Sequence, residues 1–251
     1  MKKALLLTPF LFVAAAACNN EPEIDYDKQE LTIHATIAAT KTSISSSSLE
    51  WESGDNITVA LDGESYVFKT TEQGSSATFT PEDGLTQGQV AGSPLAAYYG
   101  CDFTGSFTIP QNQTIVGGVS RTGVPMYAYT MNAPEEASID MTFKPVASAI
   151  EVKFLPFDLT VNKIELSPVD ESSVNGSFAG GFTVNPVTGK VTAKNAIHSV
   201  AAVFSSGLNI SKGASFIFPI GWFSLEGGIK ISVTYNEDGL YEDVILADAP
   251  F

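Results

Sequence analysis

Hydrophobic and polar residues alternate along most of this chain with a period of two, the signature of strands with one buried face. Leu31, Ile33, Ala35 and Ile37 alternate with Thr32, His34 and Thr36. Ile57 to Leu61 forms a second such run, and Tyr66 to Lys69 a third. Asp62-Gly63 lies between them, a strong two-residue hairpin signal, so these two runs are predicted to pair. Ala77 to Thr80, Leu95 to Tyr99, Ser106 to Ile109 and Met126 to Tyr129 continue the series. Met141 to Phe154 is one long apolar stretch, but Pro145 interrupts it, so Ile150 to Phe154 reads as strand rather than helix. Further strands are predicted at Val161 to Leu166, Ser177 to Val184, Lys190 to Ala193, Ala201 to Phe204, Ser215 to Phe218, Ile229 to Tyr235 and Tyr241 to Leu246. Asn236 to Gly239 supplies the last turn. No long window keeps a 3.6-residue period. Many short strands punctuated by Gly, Pro and Asn predict an all-β protein built of β-sandwiches.

The two ends of the pattern behave differently. Lys2 and Lys3 precede the apolar run Ala4 to Val13, and Ala14 to Ala17 lead directly to Cys18. The run is too short for a spanning helix, which needs ~20 apolar residues. It reads as a secretory leader and is set aside from the fold. The small residues abutting a cysteine resemble a bacterial lipoprotein box, which implies cleavage before Cys18 and a lipid on its sulfur. Residues 19–29 are acidic and poor in apolar groups, as expected of a tether. Beyond the leader about 230 residues remain, enough for one large or two medium domains. The stretch Phe143 to Ser148 divides them into halves, giving expected domains at 30–148 and 149–251.

Composition narrows the function. Apolar residues make up 44% of the chain, so a full core can form. The net charge is −15, with 13 basic against 28 acidic residues. That balance argues against nucleic acid, whose binding rests on Lys and Arg neutralising phosphates. Apart from Cys18 the chain has one cysteine, Cys101, so no disulfide framework is expected. Cys101 closes an apolar strand and reads as a bystander thiol. The two histidines, His34 and His198, fall on a polar strand face and in a polar connection, where solvated side chains are expected. The chain contains no H-E-x-x-H, G-x-S-x-G, phosphate loop or C-x-x-C. Asn236 to Asp243 faintly resembles a calcium loop, but the hairpin turn accounts for it. No carboxylate pair stands out for glycoside cleavage. The expectation is a non-enzymatic protein without cofactor or metal. Trp51 and Trp222 both lie in apolar surroundings, and core packing is expected of each.

The order of features supports a more specific reading. Thr36 to Thr42 leads through a polar loop to Trp51-Glu52-Ser53-Gly54-Asp55-Asn56-Ile57-Thr58-Val59. Ala77 to Phe79, Ala97-Tyr98-Tyr99, Ile109 to Gln113, Pro125 to Ala128 and Phe143 to Ser148 follow in order. This succession resembles the fimbrillin family of bacterial lipoprotein pilins, the type V pilins and their minor-subunit relatives. The resemblance implies two transthyretin-like β-sandwich domains in tandem, a palmitate-type anchor at Cys18, and a place in fimbriae on the cell outer membrane. It also implies other fimbrial subunits as partners by β-strand exchange, and adhesion to a host or bacterial surface ligand. In that family a protease removes the first strand region and a neighbour's strand fills the groove. The chain departs from the pattern at two points. Its single arginine, Arg121, lies far from the first strand, so Lys28 or Lys41 would serve as the cut site, or no cut occurs. Little chain follows Tyr241 to Leu246 to act as a donor. Both departures favour an anchor-like or accessory role over a shaft subunit. A reading from another class is a surface glycan-binding lipoprotein of a nutrient-uptake system.

Overall fold

The computed structural model describes residues 28–38, 49–116, 119–120, 123–224, 227–236 and 239–245. They form strands β1 (Thr32–Ile37), β2 (Asn56–Leu61), β3 (Glu64–Lys69) and β4 (Ser76–Pro81), and a one-turn helix α1 (Gln87–Val90). Next come β5 (Leu95–Tyr99), β6 (Ser106–Ile109), β7 (Asn112–Val116), β8 (Val119–Ser120), β9 (Met126–Thr130) and β10 (Ser138–Pro145). The later chain supplies β11 (Ser148–Phe154), β12 (Thr160–Pro168), β13 (Asn175–Gly176), β14 (Gly180–Val184) and β15 (Val191–Ala193). It ends with β16 (Val200–Asn209), β17 (Ala214–Ile220), β18 (Phe223–Ser224), β19 (Ile229–Tyr235) and β20 (Gly239–Ile245). The all-β expectation holds. Helical structure is confined to short pieces such as α1 and a 3-10 turn at Glu171–Ser173 among the described residues.

The first seven-stranded sheet closes on itself in the order β1-β10-β9-β5-β2-β3-β4. The predicted Asp62-Gly63 hairpin is present, with Leu61 opposite Glu64 and both turn residues at positive φ, 51° and 86°. Positive φ at both central positions matches the right-handed twist of the flanking strands. β1 lies between β10 and β4. It runs parallel to β10 from Thr32 opposite Ser138 to Ile37 opposite Phe143, and antiparallel to β4. Its inward residues Leu31, Ile33, Ala35 and Ile37 are buried, as their alternation predicts. Pro145 ends β10 rather than breaking a strand, where its missing N–H costs no ladder bond in mid-sheet.

Trp51 sits at the centre of this closed sheet. Its ring meets Phe79 of β4, Tyr99 of β5 and Phe143 of β10 edge-on, at centroid distances of 5.0, 5.4 and 5.2 Å. Its indole N–H donates to the Ala35 carbonyl of β1 at 3.1 Å. The indole is thus satisfied as well as buried, the condition for placing a Trp in a core.

The remaining strands build an open eight-stranded sheet, ordered β11-β17-β8-β7-β16-β12-β19-β20, a three-stranded sheet β15-β14-β6 and the ribbon β13-β18. They share a second core of Phe107, Phe178, Phe182, Phe216 and Phe218 with Val161, Ile164 and Leu166. Phe107 and Phe182 stack at 5.2 Å where β6 pairs with β14. A single cut at 148 does not separate the sheets. β6 pairs with β14, β7 with β16 and β8 with β17, so the segment between β5 and β9 belongs to the second core. β5 joins the two cores. Leu95 and Ala97 face the first, and Ala96 and Tyr98 face the second.

Trp222 corrects a sequence expectation. Trp51 is 1% exposed, but Trp222 is 51% exposed at the corner after β17. The apolar run that precedes it, Phe216 to Ile220, is buried, and the chain turns outward after Gly221.

Replacing Trp51 by Ala is expected to destabilise the fold by ~3–5 kcal/mol, as for other large aromatic truncations in cores. Chemical denaturation of parent and variant checks this. A second expectation concerns the end of β5. Burial above all, then Cys101 and Asp102, pushes the Tyr98 hydroxyl up to about 12. Burial, then Asp55, does the same to Tyr99, and burial, then Asp102, pushes the Cys101 thiol up to about 12. Each folded pKa is raised, so the neutral form is favoured by folding. The stability is fully present below the unfolded values of 9.0 and 10.0 and is lost as pH rises towards 12. Urea midpoints should therefore be level up to about pH 8 and fall by pH 11. Cys101→Ala should lessen the fall, and native Cys101 should resist iodoacetamide at pH 8 until the protein is unfolded.

Candidate functional site

The strand β1 and the groove that holds it form the candidate site. The inward face is apolar, and the outward face is a polar ladder. His34 Nδ1 lies 3.1 Å from Thr78 Oγ1, and Thr36 Oγ1 lies 3.1 Å from Ser76 Oγ. Both contacts are exposed, so they add little against competition from water. The strong attachments are the two backbone ladders and the buried side chains. Leu31 N–H donates to Leu85 O, Ile37 N–H to Ser75 O, and Ala38 N–H to Phe143 O. Trp51 adds the bond to Ala35 O from inside the core. Without β1, the facing edges of β10 and β4 would carry unpaired N–H and C=O groups above Phe79, Phe143 and Trp51. Such an edge over an apolar floor is a template for a replacement strand.

The residues singled out from the sequence are spread over the fold. Lys28 is exposed just ahead of β1. Cys18 and Lys41 lie outside the described residues. His34 is on the outer face of β1, whereas His198 is half-buried in the connection between β15 and β16. Cys101 is half-buried, with its sulfur 3.6 Å from Tyr99 O. Its raised pKa leaves almost no thiolate near neutral pH, so it is a poor nucleophile. Among the described residues no cluster of three or more His, Cys, Asp or Glu side chains is arranged to hold a metal ion.

An open cleft of about 360 Å³ lies where the first sheet meets β6, lined by Asp55, Asn56, Tyr99 and Thr108 among others. Two of its polar groups, Asp55 and Tyr99, are engaged internally. Tyr99 Oη donates to Asp55 Oδ1 at 3.2 Å, and Glu52 N–H donates to Asp55 Oδ2 at 2.8 Å. Asp55 therefore fixes the turn into β2 and steadies Tyr99. Asp102 does the same after β5, accepting from the Thr104 and Ser106 amides at 2.8 and 2.9 Å. The sequence did not single out Asp55 or Asp102 for these roles. Asp55 stands in the Trp51 to Val59 run, but its long-range partner Tyr99 leaves no mark on that run.

No family model and no curated protein matches the chain. Among solved structures it is similar to a candidate cell adhesion protein from Bacteroides ovatus, with 18% identity over 86% of each chain and a TM-score of 0.51. A candidate cell adhesion protein from Bacteroides eggerthii is similar at 12% identity, covering 86% of this chain and 78% of that one, with a TM-score of 0.40. The tip fimbrial protein Mfa3 from Porphyromonas gingivalis, with a C-terminal truncation, is similar at 9% identity, covering 87% and 82%, with a TM-score of 0.38. The first of these likenesses extends to the overall fold and spans most of both chains.

Proposed function

We propose that this chain is a non-enzymatic structural subunit of the cell surface, of fimbrial type, contributing to adhesion. The observation that carries this reading is the fold shared with the Bacteroides ovatus candidate adhesion protein over 86% of each chain. The chemistry of the leader agrees with it. A lipid on Cys18 would tether the protein to the outer membrane, and residues 19–29 would span the distance to β1. The two cores are then two transthyretin-like units, interleaved in sequence through β6, β7 and β8 and joined through β5. Its partners are other fimbrial subunits and, through adhesion, a host or bacterial surface ligand.

Assembly would use β1. Proteolysis at Lys41 or Lys28 would cut the strand's covalent link on one side. A strand from another subunit could then pair with β10 and β4 in its place. Against this stands the depth of its packing. Four side chains, Leu31, Ile33, Ala35 and Ile37, must leave the core before a new strand enters. Exchange would therefore be slow without a protease, which suits an anchor or accessory subunit that stays uncut.

Two experiments test these steps. Cys18→Ser should abolish metabolic lipid labelling and release the protein from membranes. Unchanged retention would sink the anchor. For assembly, the purified protein is digested with a lysine-specific protease, and its mass and oligomeric state are followed with added intact subunit. Loss of residues 30–40 with growth of oligomers supports strand exchange. A cut protein that keeps those residues and stays monomeric shows that β1 is a permanent part of the fold.

A further inference from the structure

Trp222 is a large aromatic side chain left half in solvent, at 51% exposure, beside a tightly bonded corner. β17 delivers a buried run, Phe216 to Ile220, to a corner at Gly221. The corner is clamped from both sides. Gly221 N–H donates to Phe178 O at 2.8 Å, and Ser177 N–H donates to Trp222 O at 2.9 Å. Ser177 is itself fully buried, and its hydroxyl accepts from Ile197 N–H at 2.6 Å. Phe223 then turns inward and packs on Phe178 at 4.1 Å. Alternation therefore fixes Trp222 and Ser224 on the outer face of the β13–β18 ribbon.

Across that ribbon Asn175 stands opposite Ser224, and Gly176 opposite Phe223. Cross-strand partners share a face, so Asn175 and Ser224 are placed by register on the face that carries Trp222. Gly176 is required here. A Cβ on it would lie 2.4 Å from Trp222 O and 3.0 Å from Trp222 Cε3. The six-membered ring thus passes close to the Gly176 backbone, and the residue as a whole is 51% exposed. The result is an exposed indole on backbone held by hydrogen bonds at both sides of the corner, with an amide and a hydroxyl on the same face of the ribbon. The connection entering the ribbon, Val169 to Val174, carries Asp170 and Glu171 and no basic residue. Anionic ligands are disfavoured by that charge and by the net −15 of the chain.

We propose that Trp222, with Asn175 and Ser224, is a contact site for a neutral saccharide chain. The C–H face of a pyranose ring would stack on the indole, and its hydroxyls would bond the amide and hydroxyl alongside. A flat apolar surface fringed by a few oriented polar groups is what binds such an amphipathic ring. The site stands on the folded chain alone and holds whether or not the protein assembles.

The test is affinity electrophoresis of the purified protein through native gels cast with neutral polysaccharides (mannan, glucomannan, xyloglucan, galactan and starch), with alginate and hyaluronan as acidic controls. Retardation is expected in at least one neutral gel and in neither acidic gel. Trp222→Ala should weaken it roughly tenfold or more, as for loss of an aromatic hot spot. Trp222→Tyr should retain most of it, and Asn175→Ala should weaken it by a smaller factor. The thermal midpoint of each variant, measured alongside, separates lost binding from lost folding. Titration should also shift the emission of Trp222, while Trp222→Tyr leaves only the buried Trp51 signal and no response. Failure of the parent to bind any neutral polysaccharide overturns the proposal, as does equal binding by Trp222→Ala. Binding only to the acidic polymers overturns the assigned chemistry. If Trp222→Ala instead converts an oligomer to monomer without affecting retardation, the indole is a contact between proteins and the proposal fails.

Discussion

The hydrogen bond from the Trp51 indole to the Ala35 carbonyl organises the first half of this molecule. Four elements that are far apart in sequence converge on that side chain: β1 through the bond, and β4, β5 and β10 through Phe79, Tyr99 and Phe143. Three edge-on aromatic contacts each place positive ring edges against negative faces, an arrangement that fixes orientation as well as distance. A core of aliphatic side chains could bury as much surface without specifying where β1 must lie. The indole does specify it, because its N–H donates to the Ala35 carbonyl of β1.

The second constraint is β5. A strand buried on both faces cannot carry polar residues on either, and Leu-Ala-Ala-Tyr meets that demand with two alanines at its centre. The small side chains let the second core approach the closed sheet. The price is a concentration of raised proton affinities just beyond, where Tyr98, Tyr99 and Cys101 leave the interior beside Asp55 and Asp102. β6, β7 and β8 then commit the chain to the other sheets before β9 and β10 return to complete the first. The two halves are interleaved rather than strung in series.

Much of this was legible in the sequence, for local reasons. Leu31 to Ile37 alternates because one face is buried, and Asp62-Gly63 turns because its backbone needs positive φ. Those facts travel with neighbouring residues. The pairing of β1 with β10, and of β7 with β16, depends on residues a hundred or so positions away, whose choice leaves no mark in either segment alone. β7 escaped notice altogether, since Asn112, Gln113 and Thr114 look like loop; Gln113 is nevertheless buried, its amide bonded to Pro219 O at 2.7 Å. Trp222 misled for the opposite reason. It follows a buried apolar run, and nothing in Phe218-Pro219-Ile220-Gly221 announces that the next side chain leaves the core. Gly176, which makes room for it, lies 46 positions earlier by the numbering. Cys18, by contrast, stands out from the small residues before it and Lys41 from the family resemblance, and both lie outside the described residues.

The parallel pairing of β1 with β10 bears on how the chain is made. A ribosome or an export channel delivers Thr32 to Ile37 first and Ser138 to Phe143 more than a hundred residues later. Until then the β1 segment has neither its parallel neighbour nor the full aromatic cage around Trp51. It can pair early with β4 along one edge, but its other edge stays open while the middle of the chain emerges. Contacts between such distant segments are slow to form because the loop between them must be ordered first. The earliest segment to appear is thus among the last to be locked in place, and during that interval any other strand of suitable pattern can compete for its slot.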